Sequence, residues 1–130
     1  MGVGKRLREH NRNIKVIAAA PQPEEFIQGL RDLDEGFIPP ILDLNVLDAR
    51  ILVSNLESLH WTAELLQEEG IFAGVSSGAV VAAALRIADR IDSGNIVCLL
   101  ADGGWKYLST NLWTKTYEEL PPGMEGKIWW

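Results

Sequence analysis

An uninterrupted apolar run at residues 96–100 (IVCLL) constrains the fold of this chain more than any other feature of its sequence. A strand in which every side chain is apolar needs cover on both faces, which is typical of a parallel sheet with helices on either side. Residues 14–20 and 50–53 read as two further strands, and helix-like stretches separate the later ones. This alternation predicts an α/β fold with a mostly parallel sheet, in which 96–100 is an interior strand beside the other two.

A long helix is predicted directly after residue 53. Ser54 and Glu57 have the spacing of a capping box, and Gly70 is a typical residue just beyond a helix end. Between these signals runs an apolar stripe, which is expected to face the core and consists of Leu56, Leu59, Ala63 and Leu66.

A second helix is predicted from Gly78 to about Ile91. Ser76 and Ser77 are candidates for its N-cap, since serine side chains accept hydrogen bonds from free amides there. Small and branched apolar residues surround its start, which predicts burial on all sides. A short helix is also predicted over residues 1–10, and residues 21–49 are expected to be irregular.

The composition narrows the classes of partner. Apolar residues make up 47% and charged residues 23% of the 130 residues, which suits a single globular domain with a core. A net charge of −6 argues against nucleic acid, which proteins bind through basic patches. No apolar run approaches the ~18 residues of a membrane span, so no membrane partner is expected. The single cysteine, Cys98, excludes an internal disulfide and fits a reducing, cytoplasmic location.

Few residues indicate chemistry by themselves. Asp102 and the two glycines after it follow the 96–100 run, at the carboxyl end of a predicted strand where α/β proteins bind ligands, although most such triplets are plain turns. His10 and His60 are isolated, and Cys98 is expected to be a small core residue. No set of Cys, His and carboxylate residues has the spacing of metal ligands, so no metal is expected.

Three longer segments carry a more specific signal. Residues 69–79 read EGIFAGVSSGA, residues 101–110 read ADGGWKYLST, and residues 27–30 and 34–39 read IQGL and DEGFIP. These segments resemble, respectively, the EGI-x-AG-[IV]-SSGA, D-x-G-x-[RK]-YLST and IQG…GF-[IV]-P segments of the cysteine synthases, which are pyridoxal-phosphate (PLP) enzymes of fold type II. Along the chain, the three segments follow the order that they have in that family. Trp105-Lys106 and the tail at 125–130 are closer to the cysteine synthase B branch, which includes enzymes that use O-phosphoserine.

This resemblance implies a fold and an activity. Residues 1–130 would be the C-terminal fragment of a fold type II large domain, with 111–130 as a C-terminal tail. PLP would be the cofactor, an activated serine the small-molecule substrate, and β-replacement to cysteine the reaction. The resemblance also implies a homodimer for the full-length members of the family.

The resemblance assigns roles to single residues as well. Ser76 would hydrogen-bond the ring nitrogen of the cofactor; the alternative is that Ser76 and Ser77 only cap their helix. Gln28 and Gly29 would lie in a loop that closes over the substrate, or they form an ordinary surface turn. Asp102 would order water or backbone near the ring nitrogen.

The sequence also departs from the family. No lysine has the context of the Schiff-base lysine, and Lys106 matches the Arg/Lys before Tyr-Leu-Ser instead. The Thr-Ser-Gly-Asn segment that holds the substrate carboxylate has no match, and the Gly/Thr-rich phosphate loop would lie just upstream of Met1. We therefore identify no catalytic residue and expect the chain alone to be inactive.

Two alternatives to this interpretation stay open. The chain could be a non-catalytic remnant or a partner of an intact synthase, using aromatic residues near its end for contacts, namely Trp113, Tyr117, Trp129 and Trp130. It could also belong to a cystathionine β-synthase-like enzyme, which the three segments do not exclude. In each case we expect an incomplete sheet and an exposed apolar patch.

Overall fold

The computed structural model describes residues 1–34 and 37–114. Two strands, β1 (Ile17–Pro21) and β2 (Ala49–Val53), pair in parallel, with Ile17 opposite Ala49 and Pro21 opposite Val53. Within this part of the chain, three α-helices accompany them: α1 (Gly2–His10), α2 (Asn55–Glu69) and α3 (Val75–Ala88). Short 3-10 segments lie at Leu44–Val46 and Gly104–Thr110. The predicted α/β class and parallel pairing are confirmed.

The core lies where α3 packs against α2 and both strands. Arg86 on α3 holds these elements together, because its guanidinium donates to the Leu52 carbonyl at 2.6 Å and pairs with the carboxylate of Glu57. No helix among the described residues is long and apolar enough to cross a membrane. The buried core residues are mostly aliphatic and small: Ile27, Val53, Leu59, Val75, Ala79, Ala82, Ala83 and Leu112.

Both ends of α2 follow the predicted signals. The Ser54 hydroxyl accepts a hydrogen bond from the Glu57 amide at 3.2 Å, and the Glu57 carboxylate accepts one from the Ser54 amide at 2.9 Å. This is the predicted capping box, and the Ser54 amide is the largest cause of the lowered pKa of the Glu57 carboxyl. Gly70 ends the helix in the left-handed conformation, with φ of 67°.

The predicted apolar stripe of α2 is correct except at its first member. Leu59 and Ala63 are buried and Leu66 is half-buried, but Leu56 is exposed. The buried residues of α2 are Ser58, Leu59, Thr62 and Ala63, and Leu56, in the first turn of the helix, lies before this buried group begins.

Helix α3 begins earlier than the sequence predicts. Its N-cap is Gly74, whose backbone is extended, and Ser76 and Ser77 already lie inside the first helical turn. The prediction that these serines cap the helix is therefore wrong. An N-cap residue must keep a non-helical backbone, and both serines are helical. The predicted burial around the start of the helix is confirmed for Val75 to Ala79.

The prediction of an interior strand at 96–100 is also wrong. Among the described residues the sheet contains only β1 and β2, and no strand covers 96–100. Val97 and Leu99 are 92% and 78% exposed, and Cys98 is half-buried outside any strand. An apolar run becomes an interior strand only if neighbouring strands and helices cover it, and the described residues offer no such cover.

Candidate functional site

The first turn of α3 carries the serine that the resemblance assigns to the cofactor. Ser76 is 6% exposed, and the neighbouring Ser77 is fully buried with no hydrogen-bond partner for its hydroxyl among the described residues. Gly78 follows, and a Cβ at this position would lie 1.9 Å from the Ser58 carbonyl oxygen. The small side chains at the start of α3 therefore let it contact the backbone of α2.

Two hydroxyls on α2 reach this turn. Ser58 Oγ donates to the carbonyl oxygen of Val75 at 2.7 Å. Thr62 Oγ1 lies 2.7 Å from the Ser58 carbonyl oxygen and 3.2 Å from the Val75 carbonyl oxygen. Both side chains are fully buried, so water does not compete for these bonds. The residue before Ser76 is thus fixed to the neighbouring helix.

The Gln28-Gly29 turn lies against Ser76. The Leu30 amide donates to the Ile27 carbonyl at 3.0 Å and closes a turn in which Gly29 has φ of 87°. A glycine at the third position of a turn adopts this positive φ without strain. A Cβ at Gly29 would lie 3.3 Å from both Cβ and Oγ of Ser76. The structure thus brings together residues from two of the three segments, while Gln28 is half-buried beside them.

Asp102 contacts the residue that begins α3. Its carbonyl accepts a hydrogen bond from the Gly74 amide at 3.0 Å, and an antiparallel bridge pairs Ala73 with Gly103. The Tyr107 hydroxyl donates to Asp102 Oδ2 at 3.0 Å, and Lys106 Nζ lies 3.4 Å from the same oxygen. Asp102 Oδ1 is buried and has no partner among the described residues. The third segment therefore lies beside the start of the helix that carries Ser76.

The Tyr107 hydroxyl should titrate well above its ordinary range. Burial, followed by the hydrogen bond to Asp102 and the charge of its carboxylate, raises the pKa of Tyr107 to about 12. In a Tyr117→Phe background, we expect the absorbance of tyrosinate to rise with a midpoint near 12. Asp102→Asn should lower this midpoint towards the ordinary value of 10.0 without reaching it, because burial remains.

The raised pKa also sets the direction of the stability change. The folded chain holds the Tyr107 proton more tightly than the unfolded chain, so this stabilisation is complete below the unfolded pKa of 10.0 and is lost as the pH rises towards 12. An unchanged midpoint of the tyrosinate absorbance in Asp102→Asn would show that the carboxylate does not act on Tyr107.

Both histidines lie outside this arrangement, and so does Lys15, one of the lysines without the context of the imine lysine. Lys15 pairs with Asp48 at 3.4 Å, and the ring of His60 contacts Trp61 edge-on at a centroid distance of 5.0 Å. His10 is exposed in the last turn of α1. No group of His, Cys, Asp and Glu residues that could hold a metal ion occurs in the described ranges.

The aromatic residues proposed for contacts fall into two groups. Trp113 packs against Phe72 with ring centroids 4.6 Å apart and adjoins the core, so its ring takes part in the fold of this chain. The other predicted contact residues lie outside the described residues, as do part of the 34–39 loop and two lysines: Tyr117, Trp129, Trp130, Glu35, Gly36, Lys115 and Lys127.

Ser58, Thr62 and Tyr107 were not predicted as parts of the site. Two hydroxyl residues four apart on the otherwise apolar face of a helix are a usable signal, because buried hydroxyls need partners. Tyr107 lies within the 101–110 segment, but only the structure shows that its hydroxyl reaches Asp102.

The arrangement fits one contact of a pyridine cofactor. A serine hydroxyl is a neutral hydrogen-bond donor, and in Ser76 it lies at the positive end of a helix, which suits an unprotonated ring nitrogen. The glycine turn beside it leaves the backbone free to approach a flat ligand closely. The residues present therefore fit the contact between Ser76 and the ring nitrogen. The phosphate loop and the imine lysine have no matching segment in the sequence.

Several known proteins are similar to this chain in sequence. Residues 1–102 match the family described as "Pyridoxal-phosphate dependent enzyme". The chain is 38% identical over 119 residues to a cysteine synthase of Aquifex aeolicus, and 41% identical over 109 residues to cysteine synthase A of Escherichia coli. These alignments cover 88% and 80% of this chain, but 36% and 34% of the relatives. The chain thus spans about a third of their length.

Solved structures show the same partial coverage. A cysteine synthase from Entamoeba histolytica has a TM-score of 0.79 at 29% identity, over 88% of this chain and 37% of its own. An O-ureido-L-serine synthase has a TM-score of 0.78 at 34% identity, over 95% and 40%. An O-acetylserine dependent cystathionine β-synthase from Helicobacter pylori has a TM-score of 0.73 at 28% identity, over 86% and 39%.

Proposed function

Because the chain belongs to the family of pyridoxal-phosphate dependent enzymes, we propose that it supplies one side of the active site of a cysteine synthase-type enzyme. The observation that carries the proposal is the contact between the Gly29 turn and Ser76, since it joins two segments that resemble this enzyme type. The identities of 38% and 41% to cysteine synthases support it. The substrate would be an activated serine and the product cysteine.

In this proposal, Ser76 holds the cofactor ring. Its hydroxyl donates a hydrogen bond to the ring nitrogen and brings no charge there, and the N-terminus of α3 disfavours a proton on that nitrogen. When bound, PLP supplies the electron sink for β-replacement, in which the leaving group takes up the electron pair. The turn at Gln28 and Gly29 covers the substrate and excludes water.

The whole enzyme needs more than these 130 residues. The imine lysine, the phosphate loop and the carboxylate-binding segment have no match here, so in this proposal another part of the enzyme provides them. We infer that the whole enzyme is a cytoplasmic homodimer. The inferred reducing compartment is supported by the cysteine content of these 130 residues, which is Cys98 alone and allows no internal disulfide.

A hybrid enzyme tests the proposal. The chain replaces the 119 aligned residues of the Aquifex aeolicus cysteine synthase, and the hybrid is assayed for PLP binding and for cysteine formed from O-acetylserine and sulfide. We expect both. Ser76→Ala should weaken PLP binding roughly two- to tenfold, because one neutral hydrogen bond is lost.

Ser77→Ala is the matched control, since it removes the adjacent hydroxyl, which is buried and has no hydrogen-bond partner in the described part of the chain. It should leave PLP binding unchanged. A folded hybrid that neither binds PLP nor makes cysteine would contradict the proposal, and so would equal effects of the two substitutions.

The similarity to the Helicobacter pylori structure favours a second candidate function, formation of cystathionine from the same activated serine. Assaying the hybrid with homocysteine in place of sulfide decides between the two. The faster reaction identifies the substrate for which residues of this chain are suited.

A further inference from the structure

We propose that Ser58 is a positioning residue for Ser76 and acts through the carbonyl of Val75. The inference rests on the proposed function of Ser76 and deepens it, because it names the group that fixes the place of that hydroxyl. Ser58 belongs to α2, outside the three segments that resemble the cysteine synthases.

The contact acts on the peptide unit directly before Ser76. Ser58 Oγ lies 2.7 Å from the Val75 carbonyl oxygen, and both residues are buried. Helix geometry also directs the Ala79 amide to this carbonyl. A carbonyl oxygen has two lone pairs, so the helix and Ser58 use both. The peptide plane that leads into Ser76 is therefore held from two directions.

The Thr62 hydroxyl forms its shorter hydrogen bond with Ser58 and its longer one with Val75. A threonine hydroxyl has one proton, and Thr62 Oγ1 is closer to the Ser58 carbonyl oxygen (2.7 Å) than to the Val75 carbonyl oxygen (3.2 Å). The absence of a side chain at Gly78 permits this approach, because a Cβ there would lie 2.3 Å from Thr62 Oγ1. Thr62 therefore holds the backbone of Ser58, and the Ser58 hydroxyl in turn holds the Val75 carbonyl.

The position of Ser76 tolerates little displacement. On its other side lies the Gly29 turn, where even a single added carbon would come within 3.3 Å of Ser76 Oγ. A change in the direction of the Val75 peptide would move the Ser76 hydroxyl towards or away from this turn. Ser58 thus sets the distance between the two segments of the candidate site.

NMR on the full 130-residue chain tests this without any cofactor. The measurements are the Hα–Hβ couplings of Ser76, which report its side-chain rotamer, and the exchange rates of the Ala79 and Ala83 amides. In Ser58→Ala, we expect averaged Ser76 couplings and a roughly three- to tenfold rise in the exchange of Ala79 relative to Ala83. Ser93→Ala, which removes an exposed hydroxyl, should change neither.

A purely structural role for Ser58 would raise the exchange of both amides equally and leave the native couplings of Ser76 unchanged, and that result overturns the inference. If Ser58→Ala does not fold, Thr62→Val is measured in its place. We expect smaller changes in the same direction, both in the Ser76 couplings and in the exchange of Ala79. Unchanged couplings and exchange rates would contradict the inference. Failure of the proposed function would appear separately, as an absence of any effect of Ser76→Ala on PLP binding by the hybrid.

Discussion

Mixed with PLP and either O-acetylserine or O-phosphoserine, the purified 130-residue chain should make no cysteine, and borohydride should trap no single lysine adduct. Ser76 offers one neutral hydrogen bond, worth about 0.5–1.5 kcal/mol, whereas micromolar binding needs about 8 kcal/mol. Lys106, the lysine closest to the candidate site in sequence, is an exposed ammonium paired with Asp102 at 3.4 Å. Any adducts should be spread over several surface lysines.

The measurement is the absorbance of the imine band, followed by reduction and mapping of the labelled lysines by mass spectrometry. The hybrid enzyme serves as the positive control, because it contains the same residues together with an imine lysine. One stoichiometric adduct on the isolated chain, at Lys106 for example, combined with turnover, would show that these 130 residues are an enzyme in their own right.

Gly78→Ala should cause the largest loss of stability of any single methyl addition to the α2–α3 contact. Its Cβ would lie 1.9 Å from the Ser58 carbonyl oxygen, a backbone atom that cannot rotate away. The helices must therefore separate, which also lengthens the bond from Ser58 to Val75. Overpacking of this kind costs about 1–3 kcal/mol and occasionally more. The loss is measured as a lower midpoint of urea unfolding followed by circular dichroism.

Gly2→Ala is the matched control for this substitution. Gly2 also lies in a helix, but a Cβ there has no atom within 4 Å. Alanine is the better helix former, so this variant should be neutral or slightly more stable than the parent chain. Equal unfolding midpoints for the two variants would mean that α2 and α3 do not pack as closely as described.

Local signals predicted the elements whose ends depend on nearby residues. The capping box at Ser54 and Glu57 and the glycine at position 70 gave both ends of α2, because each signal acts within one helical turn. The start of α3 was misplaced because two serines imitate N-cap residues. Both serines are buried within the first turn of the helix, whose N-cap is Gly74, and neither fact can be read from the sequence pattern.

The predicted strand at 96–100 failed for a different reason. Its apolar side chains indicate that the segment needs a buried environment. A strand forms only where neighbouring strands and helices provide that environment. In this chain Val97 and Leu99 face solvent. The same pattern correctly predicted β1 and β2, which find each other as partners.

The sequence predicted which segments form the candidate site, but not which residues contact each other within it. The resemblance selected Ser76, Gln28, Gly29 and Asp102, and the structure brings the segments of Gly29 and Asp102 to the start of α3. The roles of these residues towards a ligand stay predictions. The bonds from Ser58 and Thr62 to Val75 could not be predicted, because they depend on how two helices cross.

The connection between α2 and α3 has a consequence for the order of folding. Only residues 70–74 separate the two helices, whereas β1 reaches β2 across the whole irregular stretch that contains the Gly29 turn. Closing a short loop costs less chain entropy than closing a long one, so the helical hairpin is expected to form first. The bonds around Val75 would then exist before the sheet, and the early hairpin would present Ser76 as a preformed surface onto which the Gly29 turn docks late.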